Sequence, residues 1–341
     1  MIDPAPQDDR TLIVIPCLNE ERHIGALLDQ LLADPAADLI VVTDGGSSDD
    51  SRAIVLEKAG RHPRIVLMDN PARIQSAGVN RAVDAYGEGC RWLVRVDAHC
   101  LYRDGYVGGL VETGRSIRAI SVVVPMVTMG MGCFQRAAAA AQNSVLGTGG
   151  SAHRHIGIGR FVEHGHHALM AIDAFRRSGG YNERMSHNED AELDHRLGRE
   201  GRIWLEPSHA ITYFPRGDPA GLWRQYFGYG RGRAQTIALH GLRPRARQML
   251  PLVVPPAVAL ALASPLAPVL ALPLAVWAIT CLLAGVAIGV RARSGCAALS
   301  GVAAMIMHLA WGSGFLRERL MGRQSLPIAG CLSEDPIRPP R

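Results

Sequence analysis

The first third of the chain alternates short apolar runs with amphipathic stretches. Runs at 11–15, 38–43, 64–68, 92–96 and 117–124 are rich in Val, Ile and Leu, whereas 20–32, 50–59 and 75–85 place apolar residues at helical spacing. This strand–helix–strand order predicts βαβ units, hence an α/β fold with a mostly parallel sheet covered by helices on both faces. Ligands of such sheets bind beyond the carboxyl ends of the strands. Polar clusters stand at those places: Asn19 and Glu20 after the first run, Asp44 to Ser51 after the second, Asp97 and His99 after the fourth.

Beyond about residue 130 the pattern changes. Residues 130–205 read as Gly- and His-rich loops with one clear helix at 188–200. The stretch 219–240 mixes Trp223, Tyr226, Phe227 and Tyr229 with Arg224, Arg231 and Arg233, which suits a helix at a membrane interface, with an ordinary surface helix as the alternative. From 249 to 290 there is no Asp, Glu, Lys or Arg. As one helix that stretch would run ~60 Å, about twice a ~30 Å hydrocarbon core, so two spans are expected, broken near Pro265, Pro268 or Pro273. A third apolar segment, 294–316, is interrupted only by His308. Arginines at 243–247, 291–293 and 317–323 flank every end of this arrangement, which sets the positive-inside rule against itself.

Charge sharpens the division. The net charge of the 341 residues is +5, but ten arginines against Glu318, Glu334 and Asp335 give residues 243–341 a charge of +7, leaving −2 for the first 242. The basic balance is a membrane-flank property directed at anionic lipid headgroups, and it does not suggest nucleic acid. Seven cysteines (17, 90, 100, 133, 281, 296 and 331) include no C-x-x-C pair, which suits a reduced, cytosolic catalytic part. Residues 1–9 are polar and lack the apolar core of a signal peptide, so membrane targeting is expected from the C-terminal segments. The expected organisation is a polar tail (1–9), a catalytic domain (10–217), an amphipathic interfacial region (218–245), a membrane domain of two to three helices (249–316) and a basic Pro-rich tail (317–341).

Four clusters could carry chemistry. The loop from Asp44 to Ser51 can approach a ligand with its backbone, and its three carboxylates suit hydrogen bonds from a nucleobase or sugar better than a phosphate cradle; a cap and turn is the structural alternative. Asp97 and His99 sit two apart at a strand end, where both side chains point one way and can share a divalent ion, or where Asp97 simply closes a turn. Asn188, Glu189 and Asp190 open a helix whose dipole favours acids, and Asp190 with Asp194 shares one helix face, so one of them could act as a general base. His153, His155, His164, His166 and His167 lack Cys or carboxylate partners at zinc-site spacing, and a loop near the acceptor is the better reading.

In this order the motifs resemble those of the family 2 inverting glycosyltransferases of the GT-A fold, in a membrane-associated exopolysaccharide branch. The resemblance rests on residues 15–21 (IPCLNEE), 44–49 (DGGSSD), 97–99 (DAH), 179–183 (GGYNE) with 188–190 (NED), and 225–231 (QYFGYGR). It implies a nucleoside pocket formed by Pro16, Glu20 and Asp44 with Asn19 beside them, Asp44 accepting a hydrogen bond from a uracil ring. It further implies that Asp97 and His99 hold Mg²⁺ or Mn²⁺ on the diphosphate of a nucleotide sugar, and that Asp190 deprotonates the acceptor, with Glu189 next in line. Gln225, Arg231 and Arg233 would bind donor phosphates or acceptor. The implied partners are a nucleotide-sugar donor, a polyprenyl-linked glycan acceptor, membrane lipids and other polysaccharide-assembly proteins, at the bacterial cytoplasmic membrane as a multi-pass protein with its catalytic domain cytosolic. A polyprenyl-phosphate glycosyltransferase and a non-catalytic nucleotide-sugar-binding membrane protein are the competing readings. Two departures stand out: His99 where the general pattern has a second Asp, and Gly232 where related motifs have an aromatic.

Overall fold

The computed structural model describes residues 10–150, 157–244 and 246–321, so the 1–9 tail, His153, His155 and the chain after Met321 lie outside the described residues. Strand β1 (Thr11–Cys17), α1 (Ile24–Leu32), β2 (Leu39–Asp44), α2 (Ser51–Arg61), β3 (Ile65–Asp69), α3 (Gln75–Tyr86) and β4 (Trp92–Arg95) form the expected alternation. Next come α4 (Tyr106–Ile117), β5 (Ser121–Val124), β6 (Met126–Thr128), α5 (Cys133–Gln142), α6 (Val145–Thr148), β7 (Arg160–Val162), β8 (His166–Ala171), α7 (Ile172–Arg177), α8 (Glu189–Glu200), β9 (Ile203–Leu205) and β10 (Ile211–Tyr213). The remainder is helical: α9 (Pro219–Leu239), α10 (Ala246–Leu252), α11 (Val254–Leu262), α12 (Leu272–Arg291), α13 (Gly295–Ala298) and α14 (Ser300–Met321).

Eight strands form one sheet in the order β3-β2-β1-β4-β8-β5-β9-β7, and β10 pairs with β6 beside it. The pairs among β1 to β4 are parallel, and β8 enters antiparallel between β4 and β5. Ile13 and Ile15 join Ile40, Val42 and Val94 on the face covered by α1 and α4, while Leu12 and Val14 join Val41 and Leu93 on the face covered by α3, α7 and α8. Burial of both faces is why these strands read as unbroken apolar runs. Strands β7, β8 and β9 lie in the stretch read as loops, because β7 and β9 are only three residues long and β8 opens on His166 and His167.

The helical part differs most from expectation. Helix α9 is not an amphipathic surface helix, because both of its faces are covered. A Cβ on Gly228 would meet the His187 ring, one on Gly232 the His187 carbonyl, and one on Gly230 the Trp311 carbonyl of α14. The Gly-x-Gly-x-Gly spacing thus lets α9 press against the loop before α8 on one side and against α14 on the other. In place of the expected first span stands a shorter apolar helical segment, Gln248–Leu262, with Pro251 and Pro255 inside it, and its ~22 Å falls short of a ~30 Å hydrocarbon core. Pro268–Arg291 and Gly295–Met321 are long and apolar enough to cross a membrane; 11 % of the first and 50 % of the second is buried in the protein. Cys133 of α5 and Cys296 of α13 form a disulfide across 163 residues, against the reduced state expected of the scattered cysteines, because packing of α5 on α13 brings the two together.

Candidate active site

The carboxyl ends of the central strands open on a cleft of about 1970 Å³ whose wall includes Pro16, Glu20, Asp97, His99, Glu189 and Asp190. At its entrance the β1–α1 and β2–α2 loops lock together. Asn19, in a left-handed backbone with φ 57°, accepts from the Ser48 amide through its side chain at 2.8 Å, and its own amide donates to Ser47 Oγ at 2.9 Å. The Glu20 amide donates to Ser51 Oγ at 2.7 Å, which replaces the first helical turn expected at 20–23. Asp44 accepts from the Gly46 and Ser47 amides at 3.0 and 3.2 Å and from Arg52 at 2.7 Å. Burial would raise the Asp44 carboxyl, but the hydrogen bonds from Ser47 and Arg52 hold it below the usual range. Its oxygens are thus occupied within its own loop, and neither Asp44 nor Asn19 belongs to the cleft wall.

The cleft floor is built around one buried cation. Arg95, on β4, touches Asp190 and Asp97, the latter at 3.3 Å, and its guanidinium also reaches the Tyr181 hydroxyl at 3.1 Å. Tyr181 is fixed by Asn80, which accepts from its amide and donates to its carbonyl at 2.9 Å each, and the preceding Gly180 has φ 66° with no room for a Cβ against Asn80. Gln75 donates to Asp97 at 3.0 Å. Burial opposes ionisation of Asp97, yet Arg95, His166 and His99 hold its carboxyl at about 2. His99 shares Nδ1 with Glu20 at 3.0 Å, a contact that raises the imidazole and lowers the carboxyl.

Helix α8 separates its two face-sharing aspartates. Asn188, with φ 66°, turns the chain into the helix and ties it to α9 by donating to Thr236 Oγ1 at 2.8 Å. Asp194 is fully buried, paired to His167 Nε2 at 2.8 Å and His164 Nδ1 at 2.9 Å, and accepts from the Gly165 amide at 3.1 Å. His167 Nδ1 bonds the Tyr181 hydroxyl at 2.6 Å and lies 3.5 Å from Asp190. Both aspartates border the cleft, but Asp190 keeps 18 % of its side chain exposed and Asp194 none, and His166 Nδ1 lies 3.9 Å from Asp190. Burial would raise Asp190, but Arg95 and His167 lower it, whereas burial and Asp190 itself push Glu189 up to about 7. A Glu189–Asp190 pair therefore holds one proton far more readily than the other.

On α9, Gln225 and Arg233 line the cleft, Gln225 donating to the Tyr213 and Tyr229 hydroxyls at 2.8 and 3.0 Å. Arg231 does not: it turns to α14 and pairs with Glu318 at 3.0 Å, because Gly230 and Gly314 bring the two helices together there. Arg216 and Arg224 take its expected place in the cleft wall.

Comparison with known proteins agrees with this architecture. The glycosyl transferase family 2 profile matches residues 12–179. Over 313 residues the chain is 50 % identical to the succinoglycan biosynthesis protein ExoA of Rhizobium meliloti (strain 1021), covering 91 % of this chain and 95 % of the relative. The chain belongs to glycosyl transferase family 2. Its fold is shared with the mannosyltransferase PcManGT of Pyrobaculum calidifontis, solved with GDP-Man and Mn²⁺, at TM-score 0.56 and 18 % identity over 90 % of each chain.

In this glycosyltransferase the donor set at Asp97 fits a divalent ion only in company. Among the described residues no group of three His, Cys, Asp or Glu is poised to hold a metal. Asp97 Oδ2 and His166 Nε2 are 3.6 Å apart, and His99 has Nδ1 engaged by Glu20, leaving Nε2 to the cleft. That set, one carboxylate with imidazoles, suits Mn²⁺ or Mg²⁺ when phosphate oxygens complete the shell. The sequence offered His166 and His167 only as part of a loop near the acceptor, Tyr181 only within the 179–183 motif and Arg95 only as a charge within an apolar strand; none was assigned to the cleft floor.

Proposed function

We propose that this glycosyltransferase transfers a sugar from a UDP-linked donor, with inversion, to a polyprenyl-diphosphate-linked glycan in exopolysaccharide assembly of the succinoglycan type, on the cytosolic face of the bacterial cytoplasmic membrane. The single observation carrying this is the convergence of Asp97 and Asp190 on one cleft wall, bridged beneath by Arg95. The name of the 50 % identical relative supports the pathway. The donor lies over Pro16 and Glu20 with its diphosphate towards Asp97, His99, Gln225 and the arginines at 216, 224 and 233. A divalent ion held by Asp97 and His99 would supply charge neutralisation for the departing nucleoside diphosphate. Asp190 takes the proton of the acceptor hydroxyl, which attacks from the face opposite the leaving group. Arg95 fixes the orientation of Asp190 and keeps it ionised at neutral pH, and Glu189 stands beside it as a second acceptor of the proton.

Membranes containing the protein, incubated with radiolabelled nucleotide sugars and extracted for lipid, test the reading. Label in a lipid fraction from which mild acid releases an oligosaccharide supports it. Release of a single sugar would favour a polyprenyl-phosphate glycosyltransferase, and donor binding without lipid label would favour a binding protein.

A further inference from the structure

Helices α9, α14 and α12 are stacked as successive layers on the catalytic domain. Leu222 and Tyr226 of α9 cluster with Ala303, Met307 and Ala310 of α14, and further along Arg231 and Gln235 both reach Glu318. α14 is also keyed to the domain by the Cys133–Cys296 link through α13 and by His308 Nε2, 2.8 Å from the Leu146 carbonyl. α12 lies on the α13–α14 segment through small residues, Gly285 facing Gly301 and Gly289 facing Ala298. Its opposite face is open. Leu272, Val276, Ile279, Leu283, Val286 and Val290, spaced by three or four residues, are 53–72 % exposed and form one stripe along the helix.

A helix that crosses a bilayer puts the helix packed along it into hydrocarbon as well. α14 lies along α9, and α9 carries Arg224, Gln225, Arg231, Arg233 and Gln235, side chains that hydrocarbon excludes. We propose that no helix of the described C-terminal region crosses the membrane: α12, with α11 and the turn between them, lies in the plane of the cytosolic leaflet, its apolar stripe at the acyl boundary. The occupant of the stripe is lipid bearing anionic headgroups, because exposed Arg291 and Arg293 close α12 and exposed Arg317 and Arg319 stand at the end of α14. This placement removes the conflict in the positive-inside rule, since Arg243, Arg291, Arg293, Arg317 and Arg319 then all stay on one side. It also fits a lipid-borne acceptor, because Leu250, Pro251 and Trp311 belong to the same cleft wall as Asp97 and Asp190.

The inference rests on the cytosolic membrane placement of the proposed function and on none of its substrate assignments, and its test reads no sugar transfer. Reporter cysteines at two exposed positions flanking α12, Leu266→Cys and Arg293→Cys, are treated with a membrane-impermeant maleimide in intact spheroplasts and in inverted vesicles, with the parent chain as background. The expected result is no label at either position in spheroplasts, label at Arg293→Cys in vesicles, and retention on membranes in alkaline carbonate until detergent is added. A spanning α12 would put its ends on opposite faces, so label at either reporter in spheroplasts, or none at Arg293→Cys in vesicles, overturns the proposal. Release by carbonate overturns it as well, and would assign the stripe to a protein partner such as a second copy of the chain.

Discussion

The loops at the cleft entrance and the floor beneath the cleft use the same residue types to opposite ends. In the β1–α1 and β2–α2 loops, the side chains of Asn19, Asp44, Asp49 and Ser51 accept from backbone amides of the same two loops, so each polar group holds a turn in place. On the floor, Asp97, Asp190 and Glu189 converge around Arg95 and keep capacity towards the cleft. Asp194 shows the same contrast within one helix: four residues from Asp190, it is consumed by His164 and His167. A carboxylate in a motif is therefore informative about chemistry only once its partners are counted.

Substitutions should separate the two regions. The largest effect is expected for Asp97→Ala, which should abolish Mn²⁺-dependent binding of the nucleotide sugar in a titration; unchanged affinity would move the metal elsewhere. Arg95→Met leaves two half-buried carboxylates without their buried cation and should cost about 2–4 kcal/mol in denaturant unfolding, with transfer lost as well. Asp194→Asn should cost about 1–3 kcal/mol, by leaving buried imidazole donors underused. Its pH signature is specific. The Asp194 carboxyl, held at about 2 by His167 and His164 against burial, stabilises the fold above its unfolded value of ~3.9 and loses that contribution as pH falls towards 2, a slope the variant should lack. The smallest effect concerns Glu189: raised to about 7, it favours the folded state at low pH and loses that contribution as pH rises through 7, so Glu189→Gln should flatten stability between about pH 5 and 7.

The parallel half of the sheet was legible because buried strands print as apolar runs, and Asp97 and Asp190 were legible because each stands where such a fold binds ligands. The floor was legible only in part. His166 and His167 sit on β8, a strand whose first two residues are histidines, so no apolar run announced it, and nothing in sequence spacing shows that one ring faces the cleft while the other is buried against Asp194. Asp190 and Asp194 are equivalent by helical periodicity; only the histidines on the neighbouring strand separate them. Arg231 was expected at the donor phosphates from the resemblance at 225–231, and the glycines at 228, 230 and 232 were the signal that α9 is pressed from two sides, which leaves Arg231 against Glu318.

The central claim, that the accessible Asp190 and not its fully buried helical neighbour Asp194 performs the chemistry, is tested most directly by measuring donor binding and transfer to membrane lipid for Asp190→Asn beside the parent. The expected result is donor affinity close to the parent with transfer lowered by about 10²–10⁴-fold. Transfer at the parent rate in Asp190→Asn would contradict the account.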